Sequence, residues 1–148
     1  MSDIRTYPQR PYLAASAAIV RDGKVLVVRR ARKPAHGIYT FPGGVVEIGE
    51  TLHEAVMREV REETALTIAP VALAGEREVI TRDTQGRVER HFVILCLAAR
   101  WVSGEVKLNE ELDDARWVLP SEISALRTTD GLAEIAVAAF ARLAEAGH

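Results

Sequence analysis

The chain has 148 residues, a length suited to one domain, and 48% of them are hydrophobic, enough for a single packed core. Its 19 basic and 21 acidic residues are interspersed and leave a formal net charge of −2, which excludes a broad basic footprint for duplex nucleic acid or an anionic membrane but leaves room for a nucleotide-sized ligand. A lone cysteine, Cys96, excludes a disulfide framework or a cysteine metal site within the chain and fits a reducing cytoplasm, and no run approaches the ~18 apolar residues of a membrane span.

The opening stretch, MSDIRTYPQRPYLAASAAIV, sets two arginines before small apolar residues in faint imitation of a signal peptide. Its apolar part is short, follows two prolines and runs straight into RDGKVLVV, so it reads as a first core strand. YLAASAAIV and VLVVRRA on either side of Asp22-Gly23 predict a hairpin. RKPAHGIYTFPGG is rich in Pro and Gly, has no period, and reads as a loop. A helix follows. Thr51 and Glu54 form a T-x-x-E capping box, which gives Glu54 a structural duty. Leu52, Ala55 and Val56 mark the apolar face, and the same rows then arrive at Glu59 and Glu63, with Glu62 within one quadrant. Beyond Leu66, LTIAPVALAGEREVI and VERHFVILCLAARWV predict two long strands turning near Gln85-Gly86, the second covered on both faces from Phe92 to Ala99. ARWVLP reads as a last short strand. Leu132, Ile135, Ala136, Ala139, Phe140 and Leu143 predict a closing helix packed on the sheet. The order of elements predicts an α/β fold, one mixed sheet sandwiched by helices, as a single domain over residues 1–148.

The acidic end of the first helix carries the chemistry. Like charges at i,i+4 oppose a helix by a few tenths of a kcal/mol even in water, and a partly buried carboxylate without a partner costs several times more. A cation is therefore expected beside Glu59, Glu62 and Glu63. Carboxylates without cysteine or a histidine pair are hard oxygen ligands, suited to Mg²⁺, Mn²⁺ or Ca²⁺ rather than zinc. Mg²⁺ keeps waters and substrate phosphates in its shell, so an acidic helix beside Gly43-Gly44 points to a phosphate-bearing substrate.

From Gly44 the spacing runs through five residues to Glu50, seven more to Arg58-Glu59-Val60, one to Glu62-Glu63 and one to Ala65-Leu66. This resembles the Nudix box, G-x5-E-x7-R-E-U-x-E-E-x-G-U with U apolar, and departs from it only at Ala65, where the box has glycine. FPGG before it and ELDDARWV after it are also similar to family features. The resemblance implies an α/β/α sandwich and a Mg²⁺-dependent hydrolase of a nucleoside diphosphate linked to another group. It implies Glu59 and Glu63 as principal metal ligands, Glu62 as a further ligand or the general base, and the Gly44 carbonyl as completing the shell. Arg58 would orient Glu59 and pair with Glu50, Glu47 is a less defined upstream acid, and Glu111 resembles a downstream acid reaching the same site, with Glu110 as its competitor. A Cβ at Ala65 costs roughly 1–2 kcal/mol in a left-handed conformation, so the helix is expected to close differently there. The family is often dimeric.

Arg29, Arg30, Arg32 and Lys33 are candidates for gathering phosphates, although a charged strand end facing water is the simpler reading. His91 is a candidate contact for base or sugar, or else a rim histidine. Tyr39 and Phe41 could stack on a nucleobase or just pack the loop, and Trp101 and Trp117 read as core. The proline that often marks the ADP-ribose branch and the tyrosine of the dinucleoside-polyphosphate branch are absent around Thr81-Arg82 and Asp83-Thr84, as are the NADH branch's downstream motif and zinc domain. The substrate thus stays open between an oxidised nucleoside triphosphate and an ADP-ribose or ADP-sugar type. A catalytically silent nucleotide sensor of the same fold is the alternative.

Overall fold

The computed structural model describes residues 5–32 and 36–147, so Lys33 lies outside the described residues. Asp22 and Gly23 both take positive φ, 51° and 77°, the pair of left-handed residues that a two-residue hairpin turn demands. They join β1 (Tyr12–Arg21) to β2 (Lys24–Arg30), which pair at the closed end, Val20 with Val25 and Arg21 with Lys24, and then splay. In the opening, β3 (Tyr39–Thr40) pairs with β2, and β4 (Gly43–Val45) pairs with the first half of β1. Both short strands fall in the stretch expected to be loop, because two or three residues are too few to display a period of two.

The other edge of β1 pairs in parallel with β6 (Val88–Ser103), which in turn pairs antiparallel with β5 (Thr67–Arg82). β7 (Leu112–Val118) pairs with β2. The result is one mixed seven-stranded sheet with the path β3-β2-β1-β6-β5, β4 lying beside β1 and β7 beside β2. Alternation sorts its side chains between two layers. Ala15, Ala17 and Ile19 of β1 and Leu26 and Val28 of β2 meet Val56 and Val60 of α1 (Leu52–Thr64). Ala18, Val25 and Val27 meet Leu132, Ala136, Ala139 and Leu143 of α2 (Leu132–Ala146), which follows a 3₁₀ turn at Pro120–Ala125. This is the expected α/β/α sandwich.

One expectation of burial needs correction. On β6 only Cys96–Ala99 are fully buried, whereas Phe92–Leu95 are partly open because the long β5-β6 hairpin overhangs the helices. Trp101 and Trp117 pack against the core cluster on the α1 side as expected but stay partly exposed, and their rings flank the Arg21 guanidinium at 3.8 and 5.8 Å. No helix among the described residues is long and apolar enough to cross a membrane.

Candidate active site

α1 begins as its sequence dictates. Thr51 Oγ1 accepts from the Glu54 N–H at 3.1 Å and Glu54 Oε1 accepts from the Thr51 N–H at 2.9 Å, closing the capping box. The C-terminus corrects an expectation: Ala65 adopts φ 67°, ψ 10° and donates its N–H to Arg61 O, the left-handed ending that a glycine would make. The next residue, Leu66, turns straight into the core, where it is fully buried.

The face of α1 that buries Val56 and Val60 carries its acids against β4. Glu63 is 5% exposed, with Oε1 accepting from the Gly43 N–H at 3.0 Å and Oε2 accepting from Arg30 at 3.1 Å. Burial pushes its carboxyl up, against the downward pull of Arg30 and the Gly43 amide. Glu59 rests on the backbone of Gly44, where an added Cβ would stand 2.4 Å from the carboxylate. Arg58 donates to both oxygens of Glu50 at 2.7 and 2.9 Å, to Glu59 at 2.8 Å, and to the Val45 carbonyl at 3.1 Å. Arg58 and the Glu47 amide hold the Glu50 carboxyl down at about 2. Glu62, 55% exposed at its side chain, meets Arg58 at 3.4 Å, and Glu47 faces solvent.

The positive charge that the acidic stripe calls for therefore comes in part from within the chain, as Arg58 and Arg30. Among the described residues, no three side chains of His, Cys, Asp or Glu converge on one point as a metal would require. The donor set nonetheless fits a hard divalent cation, being all carboxylate oxygen with the Gly44 backbone pressed against it and no soft ligand nearby.

These residues form one wall of a cavity of about 590 Å³, lined by Gly43, Gly44, Glu59, Glu62 and Glu63. Asn109 and Glu111 enter from the loop before β7. The Asn109 N–H donates to the Glu63 carbonyl at 3.2 Å, its side-chain oxygen accepts from the Glu111 N–H at 2.9 Å, and Arg32 faces Glu110 and Glu111 at 3.4 and 3.7 Å. Arg30, Arg32 and Phe41 line the cavity too. Its floor is the sheet, where Cys96 lies with its thiol pushed up to about 11 by burial and so kept as the unreactive thiol.

Three expected substrate contacts are not at this cavity. Arg29 donates to Asp113 at 2.6 Å, on the strand face opposite Arg30. Tyr39 is buried and donates its hydroxyl to Asp114, with Arg29 and Arg116 flanking the ring. His91 has the wrong parity on β6, since Arg90, Phe92, Ile94 and Cys96 are the residues turned to the cavity. Arg77, Arg90 and Asn109 line it without having been singled out in the sequence. Parity with Phe92 could have selected Arg90, but Arg77 depends on the β5-β6 register and Asn109 on a loop without pattern.

A family model described as NUDIX domain matches residues 11–139. An ADP-ribose pyrophosphatase of Methanocaldococcus jannaschii is 34% identical over 107 residues, covering 72% of this chain and 61% of that protein. An NAD-capped RNA hydrolase NudC of Stutzerimonas stutzeri is 33% identical over 125 residues, covering 83% of this chain and 42% of the relative. The chain thus spans less than two thirds of the length of either relative. Among solved structures, a MutT NUDIX hydrolase from Burkholderia pseudomallei superposes with a TM-score of 0.75 at 27% identity, over 87% of this chain and 98% of the other. The NUDIX domain of Shewanella oneidensis NrtR, complexed with ADP ribose, shares the fold with a TM-score of 0.69 at 22% identity, over 90% and 89%.

Proposed function

The chain belongs to the NUDIX domain family, and on that premise we propose that it is a Mg²⁺-dependent pyrophosphohydrolase of a nucleoside diphosphate joined to a second group, with ADP-ribose the first substrate to test. The observation that carries this reading is the arrangement of Glu59, Glu62 and Glu63 on one wall of a nucleotide-sized cavity, with the Gly44 backbone against Glu59 and Glu111 also lining it. Glu59, Glu62, Glu63 and the Gly44 carbonyl would hold the ion, and Mn²⁺ would suit the same oxygens. Bound there, it supplies neutralisation of pyrophosphate oxygens and a lower pKa for water.

The chain's own residues do the rest. Arg58, anchored by Glu50 and Val45, fixes the orientation of Glu59. Glu63, enclosed and held by Gly43 and Arg30, keeps bulk water from the inner side of the site. Arg30 and Arg32 bring positive charge to the entering phosphates. Glu62 and Glu111, both partly open to water, are the carboxylates placed to accept the proton of the attacking water, and separate Glu62→Gln and Glu111→Gln variants assign that role.

The test is product analysis with and without Mg²⁺ on ADP-ribose, ADP-sugars, NADH, diadenosine polyphosphates, nucleoside triphosphates and oxidised dGTP. Wild type is expected to release a nucleoside monophosphate from at least one, and Glu63→Gln to lower kcat by at least about 100-fold while retaining the circular dichroism of the fold. Tight binding of one compound with turnover of none would overturn the enzyme reading in favour of a nucleotide sensor.

A further inference from the structure

The cavity reaches well past the acids. Across the sheet, Val45 of β4 lies beside Ala14 of β1, Ala14 beside Ile94 of β6, and Ile94 beside Arg77 of β5. Three strand spacings of about 4.8 Å place the Arg77 backbone roughly 14 Å from β4. The floor between them, Ala14 and Ile94, is small and apolar. Arg77 lines the far end, half-buried, and makes no hydrogen bond or ion pair with any described residue; its one electrostatic partner is the exposed Asp130. Arg30 and Arg32, by contrast, are each held by carboxylates at the acid end.

α2 adds a second source of positive potential at the same place. Its first turn sits directly on β5 at Gly75, two residues before Arg77, where an added Cβ would stand 2.9 Å from Ile135 Cγ1. Leu132 and Ile135 of that turn line the cavity, and the N-cap, Gly131, has no side chain to accept from the free amides. Further along the strand face of Arg77, Thr81 Oγ1 is buried with no hydrogen-bond partner among the described residues. The acids nearby, Asp130 and Glu134, are both exposed. A half-buried guanidinium whose one opposing charge is the exposed Asp130, and a helix N-terminus without a side-chain cap, are both stabilised by an anion.

We propose that the β5-α2 end of the cavity is an anion subsite, in which Arg77 and the first turn of α2 bind a phosphomonoester carried by the nucleoside away from the scissile anhydride. The subsite rests on the pyrophosphohydrolase reading for what fills the acid end. The substrate class becomes a nucleoside diphosphate derivative with an additional phosphate on its ribose. The planar fork of Arg77 matches two phosphate oxygens, while the apolar floor accommodates the nucleoside between the two charged ends.

Calorimetric titration with Mg²⁺ present tests the subsite with adenosine 5′-monophosphate, adenosine 2′,5′-bisphosphate and adenosine 3′,5′-bisphosphate, none of which contains an anhydride. One bisphosphate is expected to bind about tenfold tighter than the monophosphate, and which one identifies the ribose position. Arg77→Gln is expected to erase the preference and Arg77→Lys to keep part of it, both with the wild-type melting temperature. Equal affinities, no binding of any of the three, or a preference that survives Arg77→Gln would overturn the subsite. Hydrolysis of ADP-ribose and its 2′-phosphate is followed in parallel. Turnover of ADP-ribose without any bisphosphate preference leaves the reaction standing and removes the subsite, and a preference without turnover of any substrate does the reverse.

Discussion

Ala65 sits at φ 67°, in the region where an L side chain brings its Cβ against the next carbonyl at a cost of roughly 1–2 kcal/mol. The helix cannot avoid it. The Ala65 N–H closes on Arg61 O, and Leu66 must turn at once into the core, where it is fully buried. Glycine would relieve the strain but add freedom to the unfolded chain, so Ala65→Gly is expected to stabilise by about 1 kcal/mol net, raising Tm by roughly 2–4 °C. Thermal unfolding of the two proteins measures this, and an unchanged or lower Tm would mean that neighbouring backbone has absorbed the strain. The substitution leaves every carboxylate of the site in place, so activity is expected to stay near wild type.

β4 is three residues long, and its two glycines do different work. At Gly43 an added Cβ would stand 2.2 Å from the Ala15 carbonyl oxygen and 2.5 Å from Ser16 Cα, backbone atoms that cannot step aside without parting β4 from β1. At Gly44 the clash is with the Glu59 carboxylate, the far end of a flexible side chain that Arg58 holds in place. Gly43→Ala is therefore expected to destabilise the fold by about 1–3 kcal/mol through overpacking, whereas Gly44→Ala should fold with little loss and displace Glu59, lowering kcat by at least about tenfold. Urea unfolding beside a rate measurement separates the two, and the same stability loss in both variants would refute the distinction. The contrast also explains what could be read in advance. Helix α1, its capping box and the Glu50-Arg58-Glu59-Glu62-Glu63 set were legible because each is a local spacing. The Asp22-Gly23 hairpin was legible because two adjacent residues specify its turn. β3 and β4 were not, since such short strands carry no period and are held by partners distant in sequence. Arg29 and Tyr39 were misplaced because nothing local tells which face of a short strand meets the cavity, and Arg77 was invisible because its position depends on register with β6.

At the scale of the whole molecule, the two ends of the cavity differ in how they are held. The acid wall lies between α1 and the centre of the sheet, inside a continuous core. The opposite wall, with Arg77, Thr81 and Arg90, belongs to the overhanging part of the β5-β6 hairpin, and the segment before β1 braces it. The Tyr7 N–H donates to the Glu89 carbonyl at 2.7 Å, its hydroxyl donates to Asp83 at 3.0 Å, and Arg87 lies over its ring while donating to Asp83 at 2.9 Å. Asp83 also accepts from the amides of Gln85 and Arg87, which closes the hairpin turn. Burial pushes the Asp83 carboxyl up, but the Arg87 amide, the Tyr7 hydroxyl, the Gln85 amide and the Arg87 side chain outweigh it and hold the carboxyl down at about 2, below its ordinary 3.8. A carboxyl depressed in the folded state binds its proton more readily when unfolded. The brace thus contributes its full stability above the ordinary value and loses it as pH falls from about 4 towards 2. Asp83→Asn cannot make this transition. The stability difference between wild type and Asp83→Asn is therefore expected to be constant above about pH 5 and to shrink steadily between about pH 4 and 2. Amide protection factors over residues 76–95 should follow the same course, falling in wild type over that interval while those of α1 hold. A difference that holds constant down to pH 2 would show that Asp83 titrates alike in the folded and unfolded chains, and that the far wall of the cavity is held by the sheet alone.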